Sequence, residues 1–471
     1  MVFSSIEFIF YFLPLVLLVY YIVPKSAKNI VLLIASLVFY AWGAPDFFPV
    51  FILSMFFNFF ITKKMHRTME TKTRKLWLAL SLILNLGLLA YFKYMNFFMD
   101  NLNTLLEVSH HSTLQFMRVA LPIGISFFTF QSISYTVDVY RKVSEPLQRW
   151  YDYMLYISLF PQLIAGPIIR YNTIADQLVN RSIPMEGRVE GFRRFTLGLA
   201  KKVLIANTLA VLADEVFAMD FHSMSSGSAW IGILAYTFQI YFDFSGYSDM
   251  AIGIGRMLGF RFSENFNVPY ISQSISEFWR RWHITLGGFM KEYLYIPLGG
   301  NRGSKWRTFF NLWFVFLVSG LWHGASWTFV LWGVFHGIFL ILDRLFMLDV
   351  LKKIGRLPSI LLTFLVVVLG WVVFRADTVG GAIDYYQALF AFRPGDAVTV
   401  SNQGYLFFAL AILFSFVPAL KIGDRWMGLF YHDATSKGAS IALFIVSILL
   451  FFLSVGALAV TDFNPFIYFR F

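Results

Sequence analysis

Residues 438–457 read GASIALFIVSILLFFLSVGA, twenty residues in a row without a charge. Wound as a helix they rise about 30 Å, the depth of a bilayer's hydrocarbon core. A helix that is apolar on every side belongs inside a large core or in lipid, and this one reads as a membrane span. Similar runs recur toward the N-terminus at 403–420, 358–375, 326–345, 308–323, 229–250, 203–220, 119–138, 76–94, 47–62, 29–43 and 6–23. Several are short, so ten to twelve crossings are expected. The first run has no basic segment before it and no small-residue cleavage site, so it reads as a retained span rather than a removed signal.

Composition agrees. Of 471 residues, 58% are hydrophobic and 14% charged, against about 45–50% and about 25% in soluble domains. Phe occurs 56 times, and the 13 Trp and 23 Tyr suit the two interfacial belts. No cysteine is present, which excludes disulfides, thiolate metal ligands and a cysteine nucleophile. A net charge of +11 would suggest nucleic acid in a soluble protein. Here the cations fall in short loops between apolar runs and no nucleic-acid motif accompanies them. The partner they imply is the bilayer, with anionic lipid or a phosphorylated substrate at the cytosolic face.

The same cations orient the chain. Loop 63–75 carries Lys63, Lys64, Arg67, Lys72, Arg74 and Lys75 and is expected inside, whereas 100–117 holds Asp100 and Glu107 but no Lys or Arg and is expected outside. Segments 346–357 and 421–437 fit inside, 376–402 fits outside, and both termini then fall outside. Two stretches break the alternation. Residues 151–169 are apolar but basic on both flanks and contain Pro161, Gly166 and Pro167, which reads as a helix that dips in and returns. Residues 262–307 mix charges with aromatics and read as re-entrant or amphipathic pieces at the cytosolic side. Broken backbone at membrane depth requires surrounding protein or a water-filled cavity.

Eight histidines occur, five of them in loops. His283 in RRWHITL, His323 in GLWHGASW and His336 in GVFHG lie elsewhere. An ionisable group at membrane depth is a functional candidate, and the plainer reading is a neutral imidazole bonding a neighbouring helix. Gly324 and Ser326 predict a break just after His323, placing His323 and His336 on different pieces. No His-x3-His pair supports a metal site. Asp243 and Asp249 either bond the nearby Ser245, Tyr247 and Ser248 hydroxyls or ligate a cation. The glycines of AIGIGRMLGF (251–260) suit helix packing rather than a nucleotide. GGNRGSK (299–305), with Arg302 and Lys305, is either a phosphate cradle or a basic turn. There is no G-x-S-x-G elbow, so an acyl-transfer reaction here would use histidine as the base for an incoming hydroxyl.

In order along the chain, MVFSSIEFIFYFLP, SLVFYAWG, LPIGISFFTFQSISYTVDVYR, LFPQLIAGPIIRY, FQIYFDFSGYSDMAIGIGRMLGF, NFNVPYISQSISEFWRRWHITLGGFMKEYLYIPLGGNRG, SGLWHGASWTFVLWGVFHG and NPFIYFRF resemble the bacterial alginate O-acetylase-like branch of the membrane-bound O-acyltransferase (MBOAT) family, nearly end to end. The resemblance implies an all-α polytopic membrane protein in the cell membrane, one domain over 1–471, with helices around a central tunnel. It implies His323 and His283 as the tunnel histidines. It implies acetyl-CoA as donor, no bound cofactor or metal, a secreted or cell-wall polysaccharide as acceptor, and an extracytoplasmic SGNH-type acetyltransferase as partner. Arg280, Arg281, Lys291, Arg302 and Lys305 become candidate contacts for CoA phosphates. The aromatic tail 459–471, expected outside, offers Tyr468 in FIYFRF as an acyl relay or as an interfacial anchor. Two alternatives remain open: a D-alanyl, lipid or protein O-acyltransferase of the same family, and a transporter or flippase of a lipid-linked intermediate. The missing inverted repeat argues against the second.

Overall fold

The computed structural model describes residues 2–182, 184–420, 423, 437–460, 463–465 and 467. Most of the basic 421–437 stretch and Tyr468 lie outside these residues. The fold is all-α, with no strand among the described residues. Among the described residues, seven helices are long and apolar enough to cross a bilayer, and the shorter Phe8–Ile22 is apolar as well.

The expected crossings therefore fall into two groups. Helices on the outside meet lipid and must be apolar. The helices Ile125–Tyr140 and Ser226–Met257 are buried along nearly their whole length, so their surroundings are protein and their polar residues are tolerated. Two boundaries also differ from the sequence reading. The span expected at 76–94 belongs to one helical run, Thr71–Val108, that continues past residue 100. The span expected at 203–220 is the second half of Met185–Phe217. In the first, Asn96, Asp100 and Asn103 bond the extended 114–119 segment; in the second, Arg194, Lys201 and Lys202 meet carboxylates of the neighbouring helix.

The Ser226–Met257 helix forms the central post, about 48 Å long at 1.5 Å per residue. Small residues bring Met185–Ala200 against it. A methyl group added at Gly198 would stand 2.4 Å from the Gly246 carbonyl oxygen, and one at Gly253 would stand 2.5 Å from that of Gly191. This backbone approach is the packing use read from the glycines of 251–260. Asp243 and Asp249 do not depend on the neighbouring hydroxyls. Lys202 Nζ lies 2.8 Å from Asp243 Oδ1, and Arg194 and Lys201 each reach Asp249 at 2.7 Å. These cations come from the helix alongside, where a desolvated carboxylate needs an opposite charge.

At 151–169 the chain forms a nine-residue helix, Trp150–Ser158, then breaks, and Gly166 takes φ 102°. Over 262–307 the helices are short, Ile275–Arg281 and Ile284–Met290 among them. The C-terminal segment folds back onto the protein. Ile467 N–H donates to Asp243 Oδ2 at 2.9 Å, Lys202 Nζ donates to the Pro465 carbonyl, and Asn464 Nδ2 donates to the Ser4 carbonyl at 2.8 Å.

Candidate active site

His323 is the last residue of the Lys305–His323 helix, and Gly324 leaves it in an extended conformation (φ −163°, ψ 154°). The next helix, Trp327–Leu342, folds back against the first. A methyl group at Gly320 would lie 2.3 Å from the Phe329 carbonyl oxygen and one at Gly333 2.5 Å from that of Phe316, so glycine permits the hairpin. Its tip carries His323. The last carbonyls of a helix lack partners in their own helix. Here Tyr94 Oη donates to the Leu321 carbonyl at 2.7 Å, and Lys93 Nζ donates to the carbonyls of Trp322 and, at 3.2 Å, His323. A cation at a helix C-terminus is also favoured by the macrodipole.

His283 precedes the Ile284–Met290 helix with φ 45°, a left-handed conformation that is unfavourable for a residue with a side chain. Asn265 defines the ring. Its Nδ2 donates to Ser248 Oγ at 3.1 Å, and its Oδ1 accepts from Thr285 Oγ1 at 2.8 Å. The same Oδ1 lies 3.0 Å from His283 Nδ1. An oxygen that is an acceptor requires Nδ1 to carry the proton. Nε2 is then the basic nitrogen, and it meets no hydrogen-bond partner among the described residues.

The two histidines share one aromatic neighbour. The Trp322 centroid lies 6.1 Å from His283 and 5.0 Å from His323. Trp322 is stacked on Phe130 at 5.3 Å, and Phe130 on Phe289 at 4.0 Å. The indole N–H, although buried, has no acceptor among the described residues. Each imidazole borders a different cavity. His283 lines one of about 620 Å³ together with Arg280, Lys291, Asn301 and Arg344. His323 and Trp322 line another of about 160 Å³ with Lys93, Gly124 and Ser126.

The remaining candidates divide. Arg280 and Lys291 line the larger cavity. Arg281 does not; it pairs with Glu277 at 2.8 Å and donates to the Asn267 carbonyl. Arg302 and Lys305 are exposed and lie outside that lining. His336 is packed among Trp279, Trp332 and Phe335 and borders neither cavity. Tyr468 lies outside the described residues. Sequence reading passed over four residues: Lys93, Asn265, Trp322 and Arg344. Only Lys93 carried a signal, as a charge within an apolar run.

The membrane-bound O-acyltransferase family model matches residues 68–352, which include every residue of both cavities and both histidines. The chain belongs to the membrane-bound O-acyltransferase family. It is an integral membrane protein and an O-acyltransferase. Among its relatives, a probable alginate O-acetylase of Azotobacter vinelandii is 41% identical over the full length of both chains. A peptidoglycan O-acetyltransferase of Helicobacter pylori is 42% identical over 83% of this chain and 80% of its own. A teichoic acid D-alanyltransferase of Bacillus subtilis is 25% identical over 54% of this chain and 68% of its own.

Proposed function

We propose that this MBOAT protein takes acetyl from cytosolic acetyl-CoA and passes it across the membrane for O-acetylation of a secreted or cell-wall polysaccharide. The observation that carries this reading is the pair of histidines that both pack against Trp322, each at its own cavity. A cavity of about 620 Å³ is in the range that small ligands occupy. Arg280, Lys291 and Arg344 supply cations at its border for the donor's phosphates. The thioester carbonyl then comes to rest near His283 and Trp322.

The acceptor hydroxyl reaches His323 from the other cavity. Its oxygen attacks the acetyl carbon as its proton passes to imidazole nitrogen, the C–S bond breaks, and the CoA sulfur leaves and takes up a proton. The Trp322 N–H is a donor available for the carbonyl oxygen as charge builds on it. The cavity at His323 is the smaller of the two, about 160 Å³. A single side chain suits that size, which fits a relay. Tyr468 is the proposed relay, handing acetyl to an SGNH-type partner on the outer side. The sequences of the acetyl-transferring relatives, similar over most or all of this chain, support the choice of acetyl.

The test is acetylation of the polymer in cells carrying His323→Ala, with the protein quantified in the membrane fraction. Loss of acetylation at normal protein level is the expected result. Near-normal acetylation removes His323 from the mechanism. Purified protein should also release CoA from acetyl-CoA; a transporter would not.

A further inference from the structure

Away from both histidines, three loops separated in sequence meet at a cavity of about 700 Å³. Lys25 comes from the turn after the first helix and Lys28 from the start of the next, Arg149 precedes Trp150–Ser158, Arg181 comes from the stretch before Met185–Ala200, and Arg188 from the first turn of that helix. The distribution of lysine and arginine places all three loops on the cytosolic face. Five cations border this space, and Asp152 is the one carboxylate among the lining residues. Its Oδ1 accepts from Asn29 Nδ2 at 2.9 Å.

Several of these cations are oriented by groups without charge. Arg181 Nε donates to Tyr20 Oη at 3.0 Å, and its guanidinium lies 4.5 Å from the Phe260 ring centroid. Arg188 lies 4.2 Å over Tyr21. Lys28 Nζ donates to the Tyr20 carbonyl at 3.0 Å and sits 4.4 Å from that ring. Arg149 Nη1 donates to Tyr151 Oη at 2.7 Å. Arg181 Nη2, buried, meets no partner among the described residues. Aromatic faces and carbonyls orient a guanidinium without neutralising it. Five positive groups around one cavity repel one another, and an anion there relieves the repulsion.

We propose that this cavity is a binding site for a phosphate group. The group is carried either by an anionic phospholipid of the cytosolic leaflet or by a soluble polyphosphate. The site is separate from the one bordered by His283, and it does not rest on the acetyl-transfer reading. Forked guanidinium donors match phosphate oxygens, and clustered Lys and Arg next to a span favour anionic headgroups.

The experiment uses the full chain purified in detergent. Native mass spectrometry counts retained phosphatidylglycerol against phosphatidylcholine. In parallel, inorganic pyrophosphate is titrated and the melting temperature followed. The test variant is Lys25→Gln/Arg149→Gln, at the exposed rim. The control is Lys72→Gln/Lys75→Gln, two exposed cations that do not line the cavity. Selective phosphatidylglycerol retention that falls about tenfold or more in the rim variant and not in the control supports the site and identifies lipid as the source. A pyrophosphate-induced rise in melting temperature with the same dependence identifies the soluble source. Equal binding by rim variant and control overturns the proposal, as does failure of the unmodified protein to bind either probe.

Discussion

Replacing Trp322 with Phe removes one hydrogen-bond donor and keeps an aromatic ring. The N–H has no acceptor among the described residues, so its loss breaks no internal bond. A buried donor left unpaired is itself unfavourable, by about 1–3 kcal/mol, which offsets part of the smaller ring's lost packing. The ring position is fixed by the stack on Phe130 at 5.3 Å and 16°, and phenylalanine retains that stack. Stability should therefore change little. Turnover should not be spared. Removing one preorganised donor to a developing oxyanion lowers turnover about 10²–10³-fold, or about 2.7–4 kcal/mol of barrier. The assay is acetyl-CoA turnover by purified Trp322→Phe, with its melting temperature measured in the same detergent. A variant that melts normally and turns over within a few-fold of the parent refutes the donor role. A variant that melts far lower refutes the claim that the N–H is structurally idle.

Lys93→Met should lower turnover about a hundredfold by releasing the carbonyls of Trp322 and His323 and letting the imidazole drift, while the KM for donor stays unchanged; a rise in KM alone would contradict this. Asn265→Leu removes the acceptor that holds the proton on His283 Nδ1, and turnover should fall steeply at normal protein yield, with the pH profile of the residual activity altered. Asp249→Ala takes from Arg194 and Lys201 the carboxylate they share, Arg194 keeping Glu264, and should destabilise the fold by about 3 kcal/mol, read as a lower temperature at which the detergent-solubilised protein loses its monodisperse elution peak.

The parts legible in sequence were those set by local composition. The uncharged run at 438–457 made a helix, and the glycine after His323 ended one. His283 and His323 stood out because an imidazole in an apolar context is conspicuous. What stayed hidden depends on pairing over long separations. Asn265 cannot be linked to His283 without knowing that the chain turns back through 18 residues. Asp243 and Asp249 looked like neighbours of hydroxyls because their cations lie on another helix, 41 to 55 residues away. Arg280 and Arg281 are adjacent on one helix, so their side chains point about 100° apart; only one borders the cavity, and charge alone does not say which. Lys93 was readable by the same rule that flagged the histidines, yet its role needed the helix end it caps.

The C-terminal residues gain meaning from the interior pair that holds them. Lys202 and Asp243, both nearly inaccessible, lie 2.8 Å apart, and together they bond the Pro465 carbonyl and the Ile467 N–H. A buried ion pair is a weak source of net stability, because desolvation consumes most of the attraction. Its use here is better explained by position. Phe244, next to Asp243, packs 4.7 Å from His283, so Ile467 is fixed at the helix that also borders His283. In the sequence, Tyr468 is the next residue after Ile467. The relay proposed for Tyr468 calls for a tail held in one place, and this clamp holds the residue that precedes it.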